Sequence, residues 1–173
     1  MKEVLTRTAH TEDLLANYFS EPNLTRQLGY GKPLWPLVIT KELIDNALDA
    51  CEKTDTAPEI TVILEADAVT VTDNGPGLPP EIIEGSLDYR FATSTNKFYI
   101  SPTRGQLGNA LKCVWSTAYV VNGTGVVEVT ACGLHHEIEV HLNRITQVPT
   151  ISDETKSSVK KGTSVKVHWP GIA

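Results

Sequence analysis

Four side chains that carry oxygen ligands lie at helical spacing within the segment LVITKELIDNALDACEK. Glu42 and Asn46 are four residues apart, as are Asp45 and Asp49, so on a helix the members of each pair would lie one turn apart. Carboxylate and amide oxygens are ligands that Mg²⁺ accepts, and a carboxylate can also act as a general base toward water. A solvated helix face has the same composition, so this stretch alone leaves both interpretations open.

A second candidate is Asp73, at the end of the alternating run VTVTD and before the turn NGPGLPP. A carboxylate held at a strand end can accept hydrogen bonds from a planar amino group such as that of adenine. Gly75 and Gly77 would let a ring lie close to the backbone. An ordinary turn is the alternative, because Asp-Asn-Gly is a common turn sequence.

The third candidate is the stretch SPTRGQLGNALK, in which Gly105 and Gly108 precede an apolar helical pattern. Free amides at a helix N-terminus, with glycines that allow close approach, can bind phosphate. The stretch lacks the Gly-Lys-Ser/Thr of a P-loop, and a flexible hinge would have a similar sequence.

The remaining pattern predicts the elements that would position these residues. We expect helices over 11–19, 37–53 and 109–118, a short helix from Pro80, strands over 58–66 and 67–73, and further strands over 136–145 and 162–169. Residues 20–36, 88–108 and 148–162 are predicted to be loops, and 119–131 a hairpin with an Asn-Gly turn. The predicted fold is a two-layer α/β sandwich of the α+β class, with a mixed, mostly antiparallel sheet covered by helices on one face.

Composition limits the partners. The chain has 173 residues, 40% hydrophobic content and a net charge of −6. The chain has no basic run of the kind that direct nucleic-acid binding would need. It also has no apolar segment that resembles a signal peptide or a membrane span, so we expect a cytoplasmic protein. The three cysteines are far apart and predicted to be buried free thiols.

Two other groups have an ordinary structural explanation. His135, Glu137, Glu139 and His141 would share one face of a strand, which is typical of a solvated face as well as of a metal site, and we favour the former. Three tryptophans are spread along the chain and are predicted to pack in the core or in loops rather than to form a stacking platform.

The segments KELIDNALDA, DNGPGLP and RGQLGNALK resemble the nucleotide-binding motifs of the gyrase–Hsp90–histidine-kinase–MutL ATPases, which share the Bergerat fold. Within that family the likeness is greatest to the topoisomerase VI B type, from NYFSEPNLTRQLG through STNKF to GTSVKV. This resemblance implies one ATP-binding domain over 1–173, with an N-terminal arm and loop over 1–35 and an ATP lid over 87–104. It implies ATP and Mg²⁺ as cofactors.

The resemblance also implies roles for single residues. Glu42 would activate the attacking water, Asn46 would bind Mg²⁺, and Asp73 would hold the adenine amino group. Other positions are implied to contact or support the nucleotide: Asp49, Gly75, Gly77, Lys97, Arg104, Gly105, Gln106, Leu107, Gly108, Asn109 and Thr163. Lys97 would be a lid cation near the terminal phosphate and would act with Glu42 in catalysis. Ala110 replaces a glycine of the family pattern.

The family's gyrase-like members carry a transducer domain after the matching segment, and we expect none in this chain. Hydrolysis is therefore expected to be slow, or to depend on a partner protein or a downstream domain, and nucleotide could drive dimerisation. Two alternatives stay open at this point: a histidine-kinase-type phosphotransfer domain, and a sensor that binds ATP or ADP without turnover.

Overall fold

The computed structural model describes residues 18–89, 110–143, 149–158 and 161–170. The helices are α1 (Glu21–Leu28), α2 (Trp35–Lys53), α3 (Pro80–Leu87) and α4 (Ala110–Asn122), with one 3₁₀ turn at Lys32–Leu34. The strands are β1 (Ile60–Leu64), β2 (Ala68–Asp73), β3 (Gly125–Ala131), β4 (Leu134–Leu142), β5 (Pro149–Ser157) and β6 (Thr163–His168).

The described strands form one sheet in the order β1-β2-β6-β3-β4-β5. Every pairing among them is antiparallel, and β6 lies between the β1–β2 hairpin and the β3–β4–β5 meander. The sheet with its helices confirms the predicted α+β sandwich.

The core lies between the helices and one face of the sheet. Along β3 and β6 alternate residues are buried, including Val127, Val129, Val165 and Val167. Burial of such side chains is worth about 1.5–3 kcal/mol each, which makes this layer the main source of stability. The three tryptophans are buried in the same core, as predicted: Trp35, Trp115 and Trp169.

Helix α2 begins two residues earlier than predicted and ends at Lys53 as expected, with Pro36 in its first turn. Its buried residues recur at helical spacing and form one apolar stripe: Trp35, Val38, Ile39, Leu43, Ala47 and Cys51. Because this stripe packs on the core, the opposite face of α2 carries the acidic and amide side chains.

The prediction of a loop over 20–36 is wrong for its first half, which forms α1. Pro22 lies in the first turn of that helix, and Gly29 ends it in the left-handed conformation at φ +75°. These residues start and stop a helix rather than prevent one, and the fully buried Leu24 anchors it.

The predicted hairpin over 119–131 is also wrong, because α4 continues to Asn122. The Asn122-Gly123 pair ends the helix: Gly123 has φ +78° and donates its amide to the Tyr119 carbonyl over 2.6 Å. Asn-Gly is as suitable for a helix C-terminus as for a hairpin, and the apolar run before it favours the helix. The actual hairpin turn is at Cys132-Gly133.

The predicted loop over 148–162 contains β5, which pairs with β4 along its whole length. Its sequence is polar because β5 is an edge strand among the described residues, where polar side chains are common. Cys51 and Cys113 are buried as predicted, whereas Cys132 at the hairpin turn is exposed.

The side chains of β4 alternate between a buried face and a less buried face of the sheet, as expected. Ile138 and Val140 are buried, as is His136, which bonds Asp153 on β5 through Nδ1 at 3.0 Å. On the other face no group of three or more metal-ligating side chains among the described residues is arranged to hold an ion.

No helix in the described part of the chain is long and apolar enough to cross a membrane. Residues 11–17 of the first predicted helix lie outside the described residues.

Candidate nucleotide-binding site

The turn after β2 holds the carboxylate of Asp73 in a fixed position. Asp73 is 8% exposed, and its Oδ1 accepts hydrogen bonds from the Gly75 amide at 2.8 Å and the Thr163 amide at 3.2 Å. Oδ2 has no hydrogen-bond partner among the described residues. A carboxylate anchored through one oxygen therefore offers its second oxygen to a ligand.

Both glycines of this turn are closely packed, and Gly77 also has a backbone conformation that favours glycine. A Cβ on Gly75 would lie 3.0 Å from Asp73 Oδ1 and 3.4 Å from the Cys51 sulfur. Gly77 has φ +95°, and a Cβ there would lie 2.7 Å from the sulfur of Cys132. The turn is thus packed tightly between the end of α2 and the β3–β4 hairpin.

Gly162 is a site residue that sequence reasoning did not single out. It has φ +78°, and a Cβ there would lie 2.9 Å from the Asp73 carbonyl carbon and closer still to its oxygen. Because Gly162 can lie directly against Asp73, the next amide, of Thr163, reaches the carboxylate. The segment GTSVKV contained the signal, since a glycine just before a strand indicates a close approach.

The polar face of α2 also carries a cation, Lys41, which is not among the four oxygen-bearing residues that the sequence analysis singled out. Lys41 Nζ lies 2.6 Å from Asp45 Oδ2 and 3.6 Å from Glu42 Oε1. Asp45 is thereby engaged in an ion pair of the ordinary i, i+4 kind. Asn46 is exposed and its side chain makes no hydrogen bond among the described residues, so its amide oxygen remains available to a ligand.

The C-terminal part of helix α2 contacts the turn after β2, and its middle lies near the start of α4. The Cys51 thiol donates to Asn74 Oδ1 at 3.5 Å, and its pKa is raised by burial and by the neighbouring Asp73 charge. Nine residues earlier, Glu42 faces α4: burial, and then the charge of Glu42, raises the pKa of the Cys113 thiol to about 12. The two ends of this stretch are about 14 Å apart along the helix axis.

Lys112 in α4 is a second residue that the sequence analysis missed. Its ammonium group donates to the Asp88 carbonyl and lies 5.3 Å from the Tyr89 ring centroid, while the Tyr89 hydroxyl donates to the Lys112 carbonyl at 3.0 Å. Burial lowers the pKa of Lys112. These contacts join the residues on either side of segment 90–109. A lysine within an apolar helical pattern was the available signal.

The turn residues of the predicted site lie together in the structure, against the C-terminal part of α2. Asp73, Gly75, Gly77 and Thr163 are in mutual proximity, with Glu42, Asn46 and the half-buried Asp49 on the adjoining helix. The other predicted nucleotide contacts lie outside the described residues: Lys97, Arg104, Gly105, Gln106, Leu107, Gly108 and Asn109. Their roles, and those of the described site residues, stay predictions.

Replacing Gly162 by alanine should destabilise the protein and weaken the site, whereas Gly123→Ala should affect stability alone. Both glycines have φ +78°, but a Cβ at Gly123 meets nothing within 4 Å. The matched variant thus measures the backbone strain, about 1 kcal/mol, and the clash with Asp73 should add roughly 2 kcal/mol to the loss for Gly162→Ala. Chemical denaturation of both variants gives the comparison, and equal losses would show that the approach of Gly162 to Asp73 is unimportant.

The described part of the chain thus combines an antiparallel sheet, helices on one face of it and a buried carboxylate at the end of its second strand. The family model described as "Histidine kinase-, DNA gyrase B-, and HSP90-like ATPase" matches residues 31–172. The chain belongs to this family.

Within the family, the chain is similar to the B subunits of type 2 DNA topoisomerase 6. It is 28% identical to the Archaeoglobus fulgidus protein over 94% of this chain and 28% of the relative, and 32% identical to the Methanosarcina barkeri protein over 82% and 24%. The DNA mismatch repair protein MutL of Beijerinckia indica is 36% identical over 66% of this chain and 18% of the relative. The chain thus spans about a quarter of the length of its topoisomerase relatives.

Solved structures agree on the fold. The ATPase region of Saccharomyces cerevisiae topoisomerase II superposes with a TM-score of 0.52 at 20% identity, covering 79% of this chain and 38% of that one. The family model and the topoisomerase 6 relatives confirm the predicted resemblance to the family and to the topoisomerase VI B type.

Proposed function

We propose that this chain binds Mg-ATP between α2 and the turn after β2, and that it hydrolyses the nucleotide slowly on its own. The observation that carries the proposal is the buried carboxylate of Asp73, whose Oδ1 is held by two backbone amides. A carboxylate fixed in this way accepts a hydrogen bond from a planar amino group without having to be ordered first, so binding costs little conformational entropy. Family membership supports ATP as the ligand.

Helix α2 would provide the groups that act at the phosphate end of the nucleotide. Glu42 would orient and deprotonate the attacking water, and Asn46 would hold Mg²⁺ through its available amide oxygen. These residue types fit a hard cation, which when bound offsets the negative charge of the phosphates. The stretch from Glu42 to Cys51, about 14 Å long, lets one helix serve both the phosphate end and the adenine end of a nucleotide.

The ion pair of Lys41 indicates which acid on α2 is available as a base. Lys41 lies 1 Å closer to Asp45 than to Glu42, so Asp45 is its main partner. Glu42 therefore keeps a carboxylate that is only partly neutralised and can serve as a base, while Asp45 is assigned to the solvated part of the face.

Efficient phosphoryl transfer also needs cations at the terminal phosphate. Lys97 is the candidate in this chain, and further cations would come from a partner protein or a downstream domain. We propose that nucleotide controls association with that partner, or dimerisation. The net charge of −6 favours contact with DNA, where it occurs, through a partner rather than directly.

Calorimetric titration with ATP in the presence and absence of Mg²⁺ tests binding. Incubation with γ-labelled ATP, followed by separate assays for free phosphate and for protein-bound label, then identifies the chemistry. Free phosphate supports the ATPase, bound label would support a phosphotransferase, and binding with neither product would support a sensor. No binding at millimolar ATP would contradict the proposal.

Saturating Mg²⁺ and a non-hydrolysable ATP analogue should slow amide exchange across residues 87–104. The length of this segment and its Ser and Thr content favour a lid that orders around a ligand. Hydrogen exchange with mass spectrometry measures the change, and the outer strand β5 provides an internal reference that should exchange equally in both states. Equal lid exchange with and without nucleotide would contradict lid closure.

A further inference from the structure

The side chain of Asn74, in the turn after β2, binds the backbone of the segment that leads into β1. Its Nδ2 donates to the Ala57 carbonyl at 3.0 Å, and its Oδ1 accepts the Glu59 amide at 3.0 Å. These two bonds fix the direction of the side-chain amide, because a flipped amide would place donor against donor and acceptor against acceptor. Asn74 thus ties the turn after β2 to the chain before β1.

The position of Asn74 in the sheet explains why a side chain makes these bonds. The Glu65 amide donates to the Ala68 carbonyl, and counting by two along the β1–β2 register from this pair makes Glu59 and Asn74 the next hydrogen-bonded pair beyond the ladder. In this pair the Glu59 amide bonds the side chain of Asn74. The backbone carbonyl of Asn74 is thereby released from the ladder, and the chain can turn toward Gly75.

Asn74 also reaches helix α2. The Cys51 thiol donates to Asn74 Oδ1 at 3.5 Å, and its sulfur lies 3.4 Å from the position that a Cβ would take on Gly75. On the other side of β2, Asp73 Oδ1 accepts the Thr163 amide at the start of β6. Two neighbouring residues of one turn are therefore anchored in opposite directions across β2, which restricts movement of the turn that carries the Asp73 carboxylate.

We infer that Asn74 is a positioning residue for nucleotide recognition: it holds the turn after β2 so that the second oxygen of Asp73 meets the amino group of the base. The inference rests on the proposed function, because Asn74 acts through Asp73 and is assigned no contact with the nucleotide. A residue that only closes a turn would affect stability but not the discrimination between bases. Base discrimination therefore separates the two roles.

The test compares ATP with purine riboside triphosphate, which lacks only the 6-amino group of adenine. Wild-type protein should prefer ATP by about 10- to 150-fold, the value of a hydrogen bond to a charged group. In Asn74→Ala protein this preference should fall by about threefold or more, because a hydrogen bond weakens steeply with misalignment. Calorimetry gives both affinities, and the triphosphate is common to both ligands, so its effect cancels in the ratio.

A measurement without nucleotide tests the positioning by itself. Asn74→Ala should speed NMR-detected exchange of the Gly75 amide, which donates to Asp73 Oδ1, by about fivefold or more relative to the amides of β3. Lost hydrogen bonds lower the local stability of the turn, whereas amides of the interior strand β3 report global unfolding. Equal changes in the Gly75 and β3 amides would overturn the inference whether or not the protein binds nucleotide.

Two variants serve as controls. Asn74→Asp keeps the oxygen that accepts the Glu59 amide and loses the bond to the Ala57 carbonyl, so its preference for ATP should lie between those of wild type and Asn74→Ala. Gly123→Ala, which should affect stability alone, should keep the wild-type preference.

The outcomes distinguish this inference from the proposed function. An unchanged preference for ATP in Asn74→Ala protein would overturn the inference and leave the proposed function intact, and if that variant does not fold, Asn74→Asp decides by the same criterion. A reduced preference in Gly123→Ala protein would also overturn it, because a loss of stability would then be sufficient. Wild-type protein without a preference for ATP would contradict both.

Discussion

Asp73→Asn is expected to reduce ATP affinity by roughly 5- to 150-fold in a protein that remains folded. The asparagine side-chain oxygen can still accept the amides of Gly75 and Thr163, so the turn keeps its internal hydrogen bonds. The second oxygen becomes an amino group, which would face the adenine amino group donor to donor. An unpaired polar group in a bound interface costs about 1–3 kcal/mol, a factor of roughly 5 to 150 in affinity.

Isothermal calorimetry with ATP measures the effect, and thermal unfolding checks the fold. Asp67→Asn is the matched control, because it makes the same change at an exposed residue at the opposite end of β2. Wild-type ATP affinity in folded Asp73→Asn protein would show that the carboxylate only closes the turn, which is the ordinary explanation of this sequence.

Glu42→Ala should leave ATP binding within about twofold of wild type and reduce turnover by about 100-fold or more. A general base contacts the attacking water rather than the nucleotide, and its contribution is typically 10² to 10⁴ in rate. Single-turnover hydrolysis on nucleotide-saturated protein measures the chemical step directly. Equal rates in wild type and variant would mean that Glu42 belongs to a solvated face, and the sensor would become the better explanation.

Two further variants separate base action from other effects on α2. Asn46→Ala should weaken Mg²⁺-dependent ATP binding itself, since its amide oxygen is the proposed metal ligand. Glu52→Ala, an exposed acid on the last turns of the same helix, should change neither binding nor rate. A loss of binding in Glu42→Ala protein would contradict its assignment to the water.

The sequence predicted the parts of the site that depend on local pattern. The helical spacing of α2 and the strand-then-turn pattern at Asp73 are properties of contiguous residues, and both were placed correctly. Gly162 and Lys112 were missed because their importance comes from contacts 89 and 24 residues away along the chain, with Asp73 and Asp88. A local pattern can mark such a residue, as the glycine before β6 does, but it does not identify the distant partner.

The errors in the fold have a common physical origin. In 20–36 and 119–131, proline, glycine and asparagine mark the ends of helices, and the same residues also mark turns. The buried Leu24 and the apolar run in α4 decide between these uses, and that decision is made by tertiary packing. Strand β5 was missed because an edge strand need not alternate apolar and polar residues.

The position of β6 determines when the site can form during folding. Asp73 and the amide that anchors it are 90 residues apart, and β6 joins two strand groups that lie far from each other in the sequence. Contacts of such separation form slowly, because a long loop must close before they are gained. While the chain is being synthesised, β2 and β3 would each present an open edge until β6 emerges and fills the gap between them. The site and the protection of these two edges therefore arise in one late event, and a chain stalled before Gly162 would be both inactive and prone to aggregate.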